Sequence, residues 1–314
     1  GYHIYNMYIN KSDLTEKSNF AGFIGGTNSE SCDIININLS GKIDIPASVA
    51  QKTQVGSFVG KANALGNMIN CHSDVEINIM GAPAYVGGVL AFMKNANIKN
   101  CSYSGNITIA TSGKVTNGIG GILGCTNSSP TGIEAVINGC YFDGSIKNNG
   151  SGIPKYVAGI NSYSNLSKAA ETITNNYVIG TIDCTATDQG SVYGKTNTTN
   201  FDCENNYYYA DYTLTGKGGI PMKIEEFHSG EVAYLLNGDQ MEFLFGQELD
   251  SDDNMPVVYR GSNRVYKTIF MYNDNEYAVL YNNTEMKFPK NPVPDDSPTF
   301  EGWYDEKGLS LIHI

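Results

Sequence analysis

Three aspartates, Asp143, Asp183 and Asp202, are of a type that could drive hydrolysis. Carboxylates grouped on one face of neighbouring turns of a stacked chain would supply the acid and base that glycoside cleavage needs. No catalytic pattern ties these three together, and solvated turn residues are the plainer reading. Asp250, Asp252 and Asp253 offer the oxygen ligands calcium prefers, but the glycine and distal glutamate of an EF-hand loop are missing, which favours a solvated linker. Tyr207-Tyr208-Tyr209 with Tyr212 could form an aromatic platform for a sugar ring, although strand alternation would bury part of such a run. The four histidines, His3, His72, His228 and His313, are scattered and form no His-Glu-x-x-His motif. Gly118 to Gly124 lacks the lysine and following helix of a phosphate loop, so its glycines point to backbone crowding. The seven cysteines contain no Cys-x-x-Cys pair and lack the clustered spacing of a zinc site. The sequence therefore assigns no catalytic, cofactor-binding or metal-ligating residue, implies no cofactor, and leads to the expectation of a non-enzyme.

The elements that would position these residues are repeated. A glycine-aliphatic-glycine cassette appears at Gly22-Phe23-Ile24-Gly25, Gly56-Ser57-Phe58-Val59-Gly60, Gly87-Gly88-Val89-Leu90 and Gly120-Gly121-Ile122-Leu123-Gly124, with degenerate copies at Ala158-Gly159-Ile160 and Ser191-Val192-Tyr193-Gly194. A second cassette follows, opened by Asn70-Cys71, Asn100-Cys101, Gly139-Cys140 and Asn175-Asn176, with Ile107, Ile146 and Ile182 just after Gly105, Gly144 and Gly180. Gly25 to Gly60 is 35 residues, Gly60 to Gly124 is 64 and Cys71 to Cys101 is 30, a slightly irregular period. One such unit cannot bury its own apolar face, whereas stacked copies share a core and leave loops free for contacts. Within the units, Ile35 to Leu39, Val75 to Ile79 and Ile107 to Ile109 alternate aliphatic and polar residues as half-buried strands do. Cys71, Cys101 and Cys140 hold equivalent positions, which predicts a column of small, buried, reduced thiols.

Composition agrees with a turn-rich β protein: 314 residues include 35 glycines and only 17% charged residues. Residues 1–220 hold 13 Lys/Arg against 15 Asp/Glu and residues 221–314 hold 7 against 17, so most of the −12 net charge follows a change of module near 220. That balance argues against a nucleic-acid partner, which would favour a basic stripe. No apolar run is long enough to span a membrane. Near residue 218 the pattern turns helical: Pro221 can open a turn through Ile224 and Phe227 with Gly230 ending it, and Val232 to Leu236 form a second short helix stopped by Asn237-Gly238. A compact helical segment there has a structural role as a cap over open strand edges. Val265 to Tyr272, a turn at Asn273-Asp274-Asn275 and Tyr277 to Tyr281 then read as a hairpin, followed by a proline-rich stretch and Phe300-Glu301-Gly302-Trp303-Tyr304.

The first cassette resembles the GLUG motif of bacterial secreted and surface proteins, over about residues 18 to 210 in roughly six copies. Gly25, Gly60 and Gly124 match its closing glycine, while Ala91 and Ser162 depart from it. Residues 264 to 308 resemble the start of a Listeria-Bacteroides repeat, also called the internalin B-repeat, with Phe300-Glu301-Gly302-Trp303-Tyr304 carrying the match. The strands that follow this motif in such repeats are absent, so Trp303 is expected to be poorly covered. Leu309 to Ile314 resembles the translated end of a sequencing-library adaptor, which implies a reading frame cut by fragmentation. Together the resemblances imply an exported, envelope-attached bacterial protein acting in adhesion or display, and imply no reaction.

These readings give an all-β chain: a right-handed β-solenoid of about six irregular coils over 1–217, a helical cap and closing strand over 218–262, a truncated β-grasp-like repeat over 263–308 and an adaptor-derived tail over 309–314. The expected partners are host or bacterial glycans or matrix proteins, with cell-wall attachment through regions outside the chain, and with neither a nucleic acid nor a membrane span. The alternatives are a polysaccharide-cleaving β-helix enzyme, or the non-catalytic repeat region of a larger secreted peptidase.

Overall fold

The structure is a computed structural model that describes residues 1–10, 19–28, 31–48, 53–94, 97–111, 117–127, 134–166, 169–211, 216–238, 244–247, 255–258, 265–282, 288–289, 292 and 302–305, without the side chains of 266, 267 and 282. Two compact units divide it, 1–223 and 224–314.

The first unit is a right-handed β-solenoid of stacked parallel sheets. One coil shows the plan. Tyr85–Gly87 runs into a tight corner, Leu90–Met93 leaves it, Asn97–Lys99 follows, and Ser102–Tyr103 and Asn106–Ile109 close the circuit. Each segment pairs in parallel with its counterparts in the coils before and after, which produces three six-stranded sheets, here B (from Phe20–Ala21), C (from Ile24–Thr27) and D (from Ile34–Ile35). Sheet A has twelve strands in two rows, because Ile37–Ile45 pairs with both His72–Ser73 and Glu76–Ile79. Tyr2–Asn10 adds a further parallel strand against Ile37–Ile45.

In-register stacking builds the core. Ile43, Ile77, Ile107 and Ile146 align coil upon coil, each fully buried, and Ile182, partly buried, ends the row. Val55, Val86, Ile119 and Val157 form a second row, and Ile34, Met68, Ile98, Ile137 and Ile173 a third. Each fully buried aliphatic contributes about 1.5–3 kcal/mol of transfer free energy, so repetition of one phase makes the stack cohere.

The corner between sheets D and A repeats as well. Asn36, Asn70, Asn100, Gly139, Asn175 and Asn205 all have positive φ, between 50° and 66°. Asparagine and glycine tolerate this left-handed conformation best, which explains why only these two types occur there. The same corner corrects the expected alternation over Ile35 to Leu39. Asn36 breaks the strand, so Ile35 is exposed while Ile34 and Leu39 are buried. Directly after each corner, Cys71, Cys101 and Cys140 form the expected column of buried, unbridged thiols. Their Sγ atoms donate to the carbonyls of Ile34, Met68 and Ile98 in the preceding coil. Asn176 and Asn206 continue the column and donate from Nδ2 to Ile137 and Ile173 in the same way. Cysteine and asparagine are thus alternative solutions to one problem, satisfying a carbonyl at a turn in the interior.

In the second unit the helices are Ile224–His228 and Glu231–Asn237. Pro221 does not open the first of them. It lies in the edge strand Ile220–Met222, opposite Tyr208, where a missing N–H is tolerated. Asn237 holds the unit's small antiparallel pair, Phe245–Gly246 with Val257–Val258: its Oδ1 accepts from Leu244 and Phe245, and its Nδ2 donates to the Phe245 carbonyl. The expected hairpin is present as Tyr266–Tyr272 and Asn275–Asn282, turning through Asn273 and Asp274, both at positive φ. Trp303 is not poorly covered. It is 6% exposed, with ring centroids 4.9 Å from Phe270 and 5.8 Å from Tyr277. Phe270 and Tyr277, both on the hairpin, supply its aromatic contacts.

Candidate functional site

Sheets B and C meet along a glycine seam. At Gly87 a Cβ would overlap the Leu90 carbonyl, and at Gly124 it would lie 2.5 Å from the Ala91 oxygen and 2.7 Å from that of Val86. Backbone from the two sheets therefore fills the space that side chains would occupy, and the cassette's paired glycines are a packing requirement. Where Ser162 replaces the closing glycine, its hydroxyl donates to the Gly124 carbonyl it crowds.

Outward side chains line the mouth of this seam in register. Phe20, Gln54, Tyr85, Gly118, Tyr156 and Asp188 succeed one another on the sheet B wall. Gly26, Lys61 and Phe92 face them on the sheet C wall, with Tyr163 and Lys195 further along. The walls touch: the Tyr85 and Phe92 centroids lie 5.9 Å apart, and Tyr156 stacks on Tyr163 at 4.5 Å. The Lys61 ammonium sits 5.0 Å from the Phe20 ring and 5.7 Å from that of Phe92, a cation–π bridge along the groove. Burial pushes the pKa of the Tyr85 phenol and of the Cys125 thiol beside it upward, so both stay neutral.

A second in-register column runs up sheet A through His3, Asn38, His72, Ser102, Tyr141, Tyr177 and Tyr207, of which Ser102, Tyr177 and Tyr207 are buried. Tyr141 and Tyr177 stack at 4.9 Å with rings 2° from parallel. His72 Nδ1 and Ser102 Oγ lie 2.5 Å apart, a hydrogen bond between adjacent coils. Desolvation raises the Asp143 carboxyl, opposed by a hydrogen bond from Ser104 and by the charge of His72. A serine, a histidine and an aspartate thus share one neighbourhood, but Ser102 is 2% exposed, and its hydroxyl is covered from any substrate.

The three aspartates are not brought together. Asp143 follows Tyr141–Phe142 in sheet A, Asp183 lies opposite Lys147 in the other row of that sheet, and Asp202 stands opposite Thr172 in sheet D. Tyr207 and Tyr208 are buried, and Tyr209 donates to Asp211, so the tyrosine run packs into the fold. Asp250, Asp252, Asp253, Tyr212 and His313 lie outside the described residues. Among the described residues, no three His, Cys, Asp or Glu side chains gather as a metal site, and no helix is long and apolar enough to cross a membrane.

One ionisable group was missed by the sequence reading. Glu171 is fully buried inside the solenoid, its Oε1 accepting from Thr126 Oγ1 at 2.6 Å and Asn161 Nδ2 at 2.9 Å, while Oε2 has no hydrogen-bond partner. Burial raises its pKa from 4.5 to about 7, against the opposing effect of Ser164, Thr126 and Asn161. The signal was present, since Glu171 shares the inward phase of Ala169 and Ile173.

Compared with family models, curated proteins and solved structures, the chain matches none.

Proposed function

We propose that this chain is a non-catalytic module of a bacterial cell-surface protein, acting in adhesion to glycans or matrix proteins or carrying another domain away from the cell. The observation that carries this reading is the register of the outward columns. Aromatic, amide and cationic side chains recur at coil spacing along a rigid stack, an arrangement suited to a long ligand held by many weak contacts. The resemblance of the cassettes to the GLUG motif supports an envelope-attached bacterial module. Dispersal of Asp143, Asp183 and Asp202 weighs against the polysaccharide-cleaving alternative.

Purified protein incubated with pectic and other uronic polysaccharides, with and without calcium, is expected to release neither reducing ends nor unsaturated products. In a plate assay it is expected to bind immobilised glycans or matrix proteins. Turnover that disappears in Asp143→Asn or Asp183→Asn would replace this reading with the enzymatic one. Silence in both assays would leave the display stalk alone.

A further inference from the structure

The groove between sheets B and C is filled along its middle by aromatic pairs across the two walls, but not at its first coil. There the residue facing Phe20 is Gly26, which contributes no side chain, and a cavity of about 280 Å³ opens between Phe20, Gly26, Thr27, Asn28, Lys61 and Asn63. A Cβ at Gly26 would stand 3.3 Å from Phe20 Cδ2 and 3.2 Å from the Lys61 carbonyl, so even a small side chain would begin to close the space. The cavity lies just below the ~300–1,000 Å³ of pockets for drug-sized ligands, which limits the occupant to a single ring.

The lining specifies the chemistry of that ring. Phe20 offers an aromatic wall, suited to the C–H face of a pyranose. Asn28 and Asn63 bring amides that can both donate to and accept from hydroxyls. Lys61 supplies a positive charge with no carboxylate partner among the described residues, on a chain of net charge −12. The geometry points to this cavity as a binding subsite for one acidic sugar residue, a hexuronate, with its carboxylate on Lys61 and its ring against Phe20. The inference rests on the reading of the chain as a glycan-binding surface module and names the ligand class for it.

The test uses the whole chain, isotope-labelled for amide NMR and titrated with sodium glucuronate, with glucose and sodium acetate as controls. Glucuronate is expected to shift the amides of Gly26, Thr27, Lys61 and Asn63, glucose to shift them less, and acetate not at all. Lys61→Gln should weaken glucuronate binding about tenfold, as loss of one charge-assisted hydrogen bond does, while Lys61→Arg retains it. Phe20→Leu should weaken it with the lysine intact, and unchanged amides in the other coils verify that each variant is folded. No shifts, shifts centred elsewhere, or an equal response to acetate would overturn the subsite. If glucuronate leaves these amides unmoved while the protein still adheres to glycans in the plate assay, the subsite falls and the surface-module reading stands. If adhesion is also lacking, the adhesive reading falls with the subsite and only the display stalk remains.

Discussion

Ile107→Asp is expected to abolish cooperative folding of the solenoid near neutral pH. Ile107 is fully buried, aligned between Ile77 and Ile146 in a row that runs from Ile43 to Ile182. A carboxylate there meets only aliphatic neighbours in its row, and burying an unpaired charge costs at least about 4 kcal/mol, a large share of the ~5–15 kcal/mol that a folded domain has in hand. Ile107→Val, which removes one methylene, should cost only about 1 kcal/mol. Thermal unfolding followed by far-ultraviolet circular dichroism measures both. An aspartate variant that melts like the parent would show that position 107 is not in the core.

The second large effect concerns pH. Glu171 is neutral in the folded chain up to about pH 7 because burial raises its pKa from 4.5. In the unfolded chain it ionises near the lower value, so between these two points the folded state holds one more proton and stability falls as pH rises. The full loss, reached above pH 7, is roughly 3 kcal/mol. Glu171→Gln keeps the shape and removes the charge. Its carboxamide oxygen can accept from Thr126 and Asn161, and its NH₂ can donate toward Ser164. The variant should therefore match the parent near pH 4.5 and exceed it by up to about 3 kcal/mol at pH 8, in urea unfolding at the two pH values. Asp143 shifts in the same direction, so the informative quantity is the difference between parent and variant. A constant difference across the range would mean that Glu171 is solvated.

The sequence carried the core of the fold because the repeats carry phase. Ile77, Ile107 and Ile146 sit at equivalent offsets from their cassettes, and a shared offset in a stacked array becomes a shared row. The cysteine column was legible for the same reason. The alignment of the cassettes already put Asn176 at the equivalent position, but neither Asn206 nor the shared role of thiol and amide was legible, because that appears only once both are seen donating to the preceding coil. The left-handed corner was hidden at Ile35 to Leu39, where residue types alternate smoothly but one asparagine turns the chain.

The groove was less visible still. Phe20 and Lys61, or Tyr156 and Tyr163, become neighbours only through the fold of sheet B against sheet C, which the glycines permit but do not announce. His72 and Ser102 meet through parallel register across coils and have no local signature. Trp303 was expected to lack cover because strands were missing after it, yet Phe270 and Tyr277 on the preceding hairpin already provide it.

The central claim is that equivalent positions of successive repeats stack in register, and a distance across coils tests it most directly. Asn78, Thr108, Lys147 and Asp183 are consecutive partners along sheet A. Three steps of about 4.8 Å place Asn78 and Asp183 roughly 14 Å apart through the backbone. Spin labels on Asn78→Cys and Asp183→Cys, with Cys32→Ser and Cys203→Ser to remove the more accessible native thiols, report that separation by dipolar broadening. The account predicts one short, narrow distance close to this value, allowing for the length of the labels. A distance of more than about twice that, or a broad distribution, would contradict the stacked register and the groove built upon it.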